Sequence, residues 1–151
     1  MFRGVSNLNL DVKGRLAIPV KYREVLTEHS DGQLVVTVNY GERCLLMYPL
    51  SEWAEIEKKL VGLPSLDPVA QRLKRLLIGH ATDCELDGSG RALLPAPLRE
   101  FAHLDKRIVL IGQGNKFEIW DENLWNTRRD DWLEQRDGES PLPVEVETLS
   151  L

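Results

Sequence analysis

Alternating apolar and polar residues divide the first part of the chain into short strands and helices. In residues 15–18, Leu16 and Ile18 share one face of an extended segment, because side chains alternate in a strand, and Arg15 lies on the other face. An amphipathic helical stripe at i, i+3, i+4 spacing follows, formed by Tyr22, Val25 and Leu26. Later apolar runs predict two more strands and a second helix, at 34–38, 45–48 and 51–60.

The same order of elements recurs in the second half of the chain. The pattern Leu-Asp-x-x-Gly-Arg-x-x-[Ile/Leu]-Pro begins at Leu10 and again at Leu86, 76 positions later. The helix that carries Tyr22 is matched by one that carries Leu98, and Trp53 is matched by Trp125. An internal repeat of this kind predicts two small units that share a core.

Each repeat contains a turn whose residues favour one backbone geometry. Asp11 and Asp87 open four-residue turns, where an aspartate side chain bonds amides two residues further on. Gly14 and Gly90 close them, because glycine adopts positive φ without strain. We therefore predict that each copy is a β-hairpin with an arginine at its corner.

The segment between the repeats and the end of the chain are predicted to be helical. Asp67 is a candidate N-cap for a helix that runs up to Gly79, and a last helix begins near 122. The polar segment 137–143 is expected to be mobile unless a neighbouring subunit orders it. Three cations lie off the apolar stripe of the middle helix, where a solvated face is favoured over a DNA contact: Arg72, Lys74 and Arg75.

Charge is distributed unevenly along the 151 residues, which carry a net charge of −5. Residues 121–151 hold nine acids against three arginines, whereas residues 1–24 hold five cations against two acids. A basic patch on an acidic protein is compatible with nucleic-acid binding, because binding depends on the field at the contacting face. Residues 1–10 lack an apolar core typical of a signal peptide, and no apolar run reaches membrane-spanning length, so we expect a cytoplasmic protein.

Catalytic and cofactor sites find little support among the residue types. No metal-ligand spacing occurs among the three histidines (His29, His80 and His103) and the two cysteines (Cys44 and Cys84). The cysteines are expected to be small buried side chains. Residues 112–114 lack the third glycine of a dinucleotide loop. Asp11 and Asp87 could form a pair of catalytic carboxylates, but each is explained by its turn and faces an arginine that lowers its pKa. We expect no cofactor, no metal and no small-molecule substrate.

Several motifs, taken in order and spacing, resemble the MraZ family of bacterial transcription factors. They are the opening Met1-Phe2-Arg3-Gly4, the paired Asp-x-x-x-Arg signatures, Cys44–Pro49 leading to Trp53, Leu76–Ala81 and Lys116–Trp120. The resemblance implies an α+β fold of two tandem SpoVT-AbrB-like swapped-hairpin β-barrel units with short amphipathic helices. The corresponding boundaries are 5–52 and 81–124 for the units, 53–80 for connecting helices and 125–151 for a C-terminal helix and acidic tail.

The resemblance also implies a function and partners. A family member would form a ring-shaped homo-oligomer, bind direct repeats in double-stranded promoter DNA, associate with the nucleoid and repress its own operon and the division and cell wall gene cluster. The candidate DNA contacts are Arg15 and Lys13, followed by Arg3, Lys21 and Arg91. Asp11, Gly14, Asp87 and Gly90 would shape the turns.

Residue types alone leave alternatives open. The Asp11–Arg15 and Asp87–Arg91 pairs could simply lock their turns. Ser89 stands where the first copy has Lys13, so Arg91 either contacts DNA or only braces the fold. Two other classes of function are an oligomeric scaffold that binds an acidic protein partner through its basic hairpins, and a small enzyme of unknown chemistry.

Overall fold

The computed structural model describes residues 1–135 and 143–151. Its strands are β1 (Phe2–Asn9), β2 (Arg15–Ala17), β3 (Gln33–Val38), β4 (Leu45–Pro49), β5 (Thr82–Glu85), β6 (Arg91–Leu93), β7 (Arg107–Gly114) and β8 (Phe117–Asp121). Its helices are α1 (Val20–Ser30), α2 (Leu50–Val61), α3 (Pro68–Leu73), α4 (Ala96–Phe101), α5 (Glu122–Glu134) and α6 (Val144–Glu147), and a π-helical segment (Lys74–Ile78) continues α3.

The strands of the two repeats are interleaved. A six-stranded sheet has the order β1-β7-β8-β4-β3-β5, and β2 and β6 form a separate two-stranded sheet. β1 of the first repeat pairs antiparallel with β7 of the second, from Phe2 opposite Gly114 to Asn9 opposite Arg107. The equivalent strand of the second repeat, β5, pairs in return with β3. The repeats therefore exchange strands symmetrically.

This exchange corrects the prediction of a local hairpin at each turn. Asp11 N donates to Arg15 O at 3.0 Å, and Asp87 N donates to Arg91 O at 2.9 Å, so each turn closes as predicted. The strands that flank the turn then separate, because β1 pairs with β7 and β2 pairs with β6. Local turn chemistry determines the corner, and burial of apolar faces from both repeats determines the pairing.

The main core lies where apolar faces from both repeats meet. Leu16 and Ile18 are fully buried there, as their alternation with Arg15 predicts. The helical stripes also face this core, with Tyr22 and Leu98 buried. The other face of the six-stranded sheet is covered by two smaller clusters, one around α2 and one around α5.

The middle and last helices follow their sequence signals with one exception. Asp67 Oδ1 accepts from Val69 N at 2.8 Å, which confirms the predicted N-cap of α3. The helix changes to π geometry before Gly79, and the buried Thr37 hydroxyl donates to the Leu77 carbonyl there at 2.7 Å. The Thr37 side chain thus satisfies one of the carbonyl groups that the end of the helix leaves without an intrahelical partner.

The α+β class with two repeated units is confirmed, although the described strands do not close into a barrel. The boundaries predicted for the units remain predictions. Residues 137–142 of the segment expected to be mobile lie outside the described residues. Among the helices of the described ranges, none combines the length and the hydrophobicity required to cross a bilayer.

Candidate nucleic-acid interface

The first turn is held by its aspartate. Asp11 Oδ1 accepts from the amides of Lys13 at 2.9 Å and Arg15 at 2.8 Å, and Asp11 Oδ2 accepts from Arg15 Nε at 2.6 Å. Gly14 closes the turn at φ 84°, in the left-handed region that favours glycine. The arginine side chain is therefore oriented by the turn itself.

The second turn repeats this arrangement. Asp87 Oδ1 accepts from the amides of Ser89 and Arg91, each at 2.9 Å, and Asp87 Oδ2 accepts from Arg91 Nε at 2.9 Å. Gly90 adopts φ 74°. The difference between the turns is chemical, since Ser89 contributes no charge where Lys13 is an exposed cation.

Hydrogen bonding keeps both turn carboxylates ionised. The Arg15 amide, followed by the Arg15 guanidinium and the Lys13 amide, lowers the pKa of Asp11 to about 2 against the opposing effect of desolvation. The pKa of Asp87 is also lowered, first by the amide of Arg91. A depressed pKa is the opposite of what a general acid needs at neutral pH, so these groups suit turn formation and not proton transfer.

Strands β2 and β6 form a two-stranded ribbon that joins the turns. Arg15 pairs with Leu93 and Ala17 pairs with Arg91, so both arginines lie on the same face of the ribbon. Leu16 lies opposite Ala92 on the buried face. The ribbon is extended at both ends, because Leu94 N donates to Gly14 O and Ile18 N donates to Gly90 O, each at 3.0 Å. Since the strands are antiparallel, the turns stand at opposite ends.

Both ribbon arginines keep donors free for a ligand. Their side chains are 28% and 34% exposed, for Arg15 and Arg91 respectively. In each, Nε is bonded to the turn aspartate, while the two terminal nitrogens make no hydrogen bond to any residue of the described ranges. A guanidinium held in this way can form bidentate contacts to a phosphate or to a guanine edge.

Two further arginines approach the turns, and sequence reasoning did not select them as site residues. Arg99 lies against Gly14, where an added Cβ would be 2.6 Å from its Cζ. Arg23 lies in the same way against Gly90. Arg23 and Arg99 occupy equivalent positions in the two repeats, and this repetition of an arginine is the sequence signal that points to them.

The remaining candidate cations lie elsewhere. Arg3 is exposed near the start of β1, about 20 Å from the end of that strand at Asn9 at roughly 3.3 Å per residue. Lys21 lies beside it, over the ring of Tyr22, whose hydroxyl donates to the Arg3 carbonyl. The structure thus brings Lys13, Arg15 and Arg91 to the ribbon and places Arg3 and Lys21 in a separate group.

The contacts of Lys74 in the middle helix and of the two cysteines suit a structural role. Lys74 Nζ donates to Leu63 O at 3.1 Å. Cys44 is fully buried, and burial together with the nearby Glu118 raises the pKa of its thiol. Cys84 is partly buried, and burial raises its thiol pKa as well. In the residues that the structure describes, histidines, cysteines and acids do not gather into a group that could hold a metal.

Comparison with known proteins identifies related sequences along the whole chain. The family model for MraZ protein, antitoxin-like, matches residues 1–76 and again residues 77–136. A protein named transcriptional regulator MraZ from Halorhodospira halophila is 60% identical over 152 residues, covering 100% of both chains. A protein of the same name from Thioalkalivibrio sulfidiphilus is 56% identical over 100% of both chains. Another, from Methylococcus capsulatus, is 62% identical over 89% of this chain and 88% of the relative.

Proposed function

The chain belongs to the MraZ family, and from this membership we propose that it is a transcriptional regulator that binds double-stranded DNA and is not an enzyme. The observation that supports this most is the β2–β6 ribbon with Arg15 and Arg91 on one face. The major groove of B-DNA accepts a two-stranded ribbon, and arginine is the side chain most often used to read guanine there. Lys13 adds a cation at the first turn only, so the first repeat is the principal reader.

The finer mechanism is part of the same proposal. The protein assembles into a ring-shaped homo-oligomer, binds direct repeats in the promoter of its own operon and represses that operon with the division and cell wall gene cluster. A single ribbon carries few cations, so one contact should be weak at physiological salt. Linked sites raise avidity by roughly 10²–10⁴ when the spacing of the DNA repeats matches that of the subunits.

A gel-shift series tests the proposal. Promoter DNA of the protein's own operon and an unrelated duplex of equal length are titrated with the full chain at several salt concentrations. We expect tighter binding to the promoter and an affinity that falls steeply with salt. Equal affinity for both duplexes would reject sequence-specific regulation. Absence of binding to either, together with capture of an acidic protein, would favour the scaffold alternative.

A further inference from the structure

Each turn carries a second guanidinium, and that guanidinium comes from the other repeat. Arg99 belongs to α4 of the second repeat, and its side chain lies against Gly14 of the first turn. Arg23 belongs to α1 of the first repeat, and its side chain lies against Gly90 of the second turn. The two crossings are related by the same symmetry as the exchanged strands. A turn with its crossing arginine is therefore a unit built from both repeats.

The crossing arginines are held at one nitrogen and free at the other two. Arg23 Nε donates to Ile18 O at 2.6 Å, and Arg99 Nε donates to Leu94 O at 3.0 Å. Within residues 1–135 and 143–151, their terminal nitrogens donate to no protein acceptor, and neither arginine forms an ion pair. Partial fixation lowers the entropic cost of forming a further contact, because the planar fork is already oriented.

Cations outnumber acids at the first turn. Three cations, Lys13, Arg15 and Arg99, lie at a turn that carries one carboxylate, Asp11, both of whose oxygens already accept hydrogen bonds within the turn. A groove of about 570 Å³ beside the turn is also lined by Asp105 and Lys106, whose charges offset each other. At the second turn, Arg91 and Arg23 face Asp87. Glu24 and Glu100 are exposed next to the crossing arginines in sequence but make no ion pair with them in the described ranges.

An anion would relieve this excess of like charge. Arg15 follows Gly14 in the first turn and the Arg99 side chain lies against Gly14, so a negative group bound at this turn reduces the repulsion among its cations. The free terminal nitrogens have the fork geometry that matches phosphate oxygens. DNA supplies such anions at regular spacing on either side of the groove that a ribbon would enter.

We propose that each turn, with the crossing arginine of the other repeat over its glycine, binds one phosphate of the DNA backbone. Arg99 makes the contact at the first turn and Arg23 at the second. This inference rests on the proposed function and deepens it, because phosphate contacts fix the position of a protein on the duplex while base contacts specify the sequence. Arg15 and Arg91 remain available to the groove between the two phosphates.

The salt dependence of binding separates this role from a structural one. Arg99→Ala and Arg23→Ala are compared with Arg129→Ala, which removes the same charge from α5, where Arg129 pairs with Asp130. Each phosphate contact contributes about 0.9 to the slope of log K against log salt, so each crossing variant should lower the slope by about 0.9 per bound chain and weaken binding about fivefold at 0.15 M salt. The loss should be equal for promoter and unrelated duplex, and Arg129→Ala should keep the wild-type slope.

The variant Arg99→Lys keeps the charge and removes the planar fork, and it supplies the second readout. Because the slope depends on charge, Arg99→Lys should retain the wild-type slope even if Arg99→Ala is poorly folded by circular dichroism. A folded Arg99→Ala with an unchanged slope overturns the proposal, as does a loss confined to the promoter. An Arg99→Lys that loses the slope while folded also overturns it.

A third measurement does not depend on promoter recognition. Addition of inorganic phosphate to the ¹⁵N-labelled wild-type chain should shift the Nε–H resonances of Arg23 and Arg99 before that of Arg129. No selective shift counts against the phosphate sites. Selective shifts in a chain that fails to distinguish its promoter from unrelated DNA would preserve the sites and reject the proposed function.

Discussion

Gly14→Ala tests the contact between the repeats most directly. Gly14 has φ 84°, and an alanine there pays about 1–2 kcal/mol for the left-handed conformation. The new methyl group would also lie 2.6 Å from Cζ of Arg99, so that guanidinium must move and give up its Nε bond to Leu94 O. Loss of one such bond costs about 0.5–1.5 kcal/mol, so we expect a total destabilisation of about 2–3 kcal/mol.

Gly88→Ala is the matched control, because Gly88 belongs to the second turn but lacks positive φ, and a Cβ added there would meet no atom within 4 Å. Urea unfolding at one fixed protein concentration measures both variants, since the apparent stability of an oligomer depends on concentration. Adding Arg99→Ala should reduce the cost of Gly14→Ala by about 1 kcal/mol, because the displaced group is then absent. Equal stability of Gly14→Ala and Gly88→Ala, or additivity with Arg99→Ala, would refute this account of the contact.

Three other predictions concern the ribbon and its turns. Arg15→Ala should keep the fold and the assembly but weaken promoter binding by about 1–3 kcal/mol. Arg91→Ala should weaken promoter binding less, because Ser89 stands where the first turn has a lysine. If titrations rank the two variants in reverse while light scattering shows an intact assembly, the first repeat is not the principal reader. Inserting about 5 bp, half a helical turn, between promoter repeats should reduce affinity sharply and a full-turn insertion should reduce it less; unchanged binding to both would exclude the multivalent mechanism. The pKa of Asp11 is lowered to about 2 in the folded chain from an ordinary value of 3.8, so its stabilising contribution is full above about pH 4 and is lost as pH falls through about 2; Asp11→Asn should flatten that part of an acid-unfolding curve, and an unchanged curve would show that the turn bonds do not contribute.

Local chemistry made the turns and helix starts predictable. The aspartate of each turn accepts hydrogen bonds from amides within four residues, and Asp67 accepts from amides within three. The helical stripe that contains Tyr22 and the strand alternation around Leu16 predict which side chains are buried, because the spacing of the apolar residues matches the period of a helix or of a strand. These signals suffice for the order of elements and for the arginine at each corner.

Nonlocal features were not accessible in the same way. The exchange of β1 onto β7 depends on which apolar faces meet across about a hundred residues, and no residue at the turn encodes it. Arg99 contacts Gly14 because β6 pairs with β2 and so brings α4 next to the first turn. The equivalence of Arg23 and Arg99 is visible in the sequence, but their contacts with the turns depend on the three-dimensional arrangement of the repeats.

The exchange of strands also determines the order in which the chain can fold. Phe2 begins β1 but finds its partner at Gly114, so the first strand of the six-stranded sheet waits for β7 to emerge during synthesis. Pairings of such large sequence separation require costly loop closure and make folding slow relative to a chain of local hairpins. The first repeat alone would expose the unpaired edges of β1 and β2, which can pair with the same edges of another copy. Once β7 has been synthesised, linking the two repeats in one polypeptide supplies the correct partner at high effective concentration, which favours pairing within the chain over pairing with another copy.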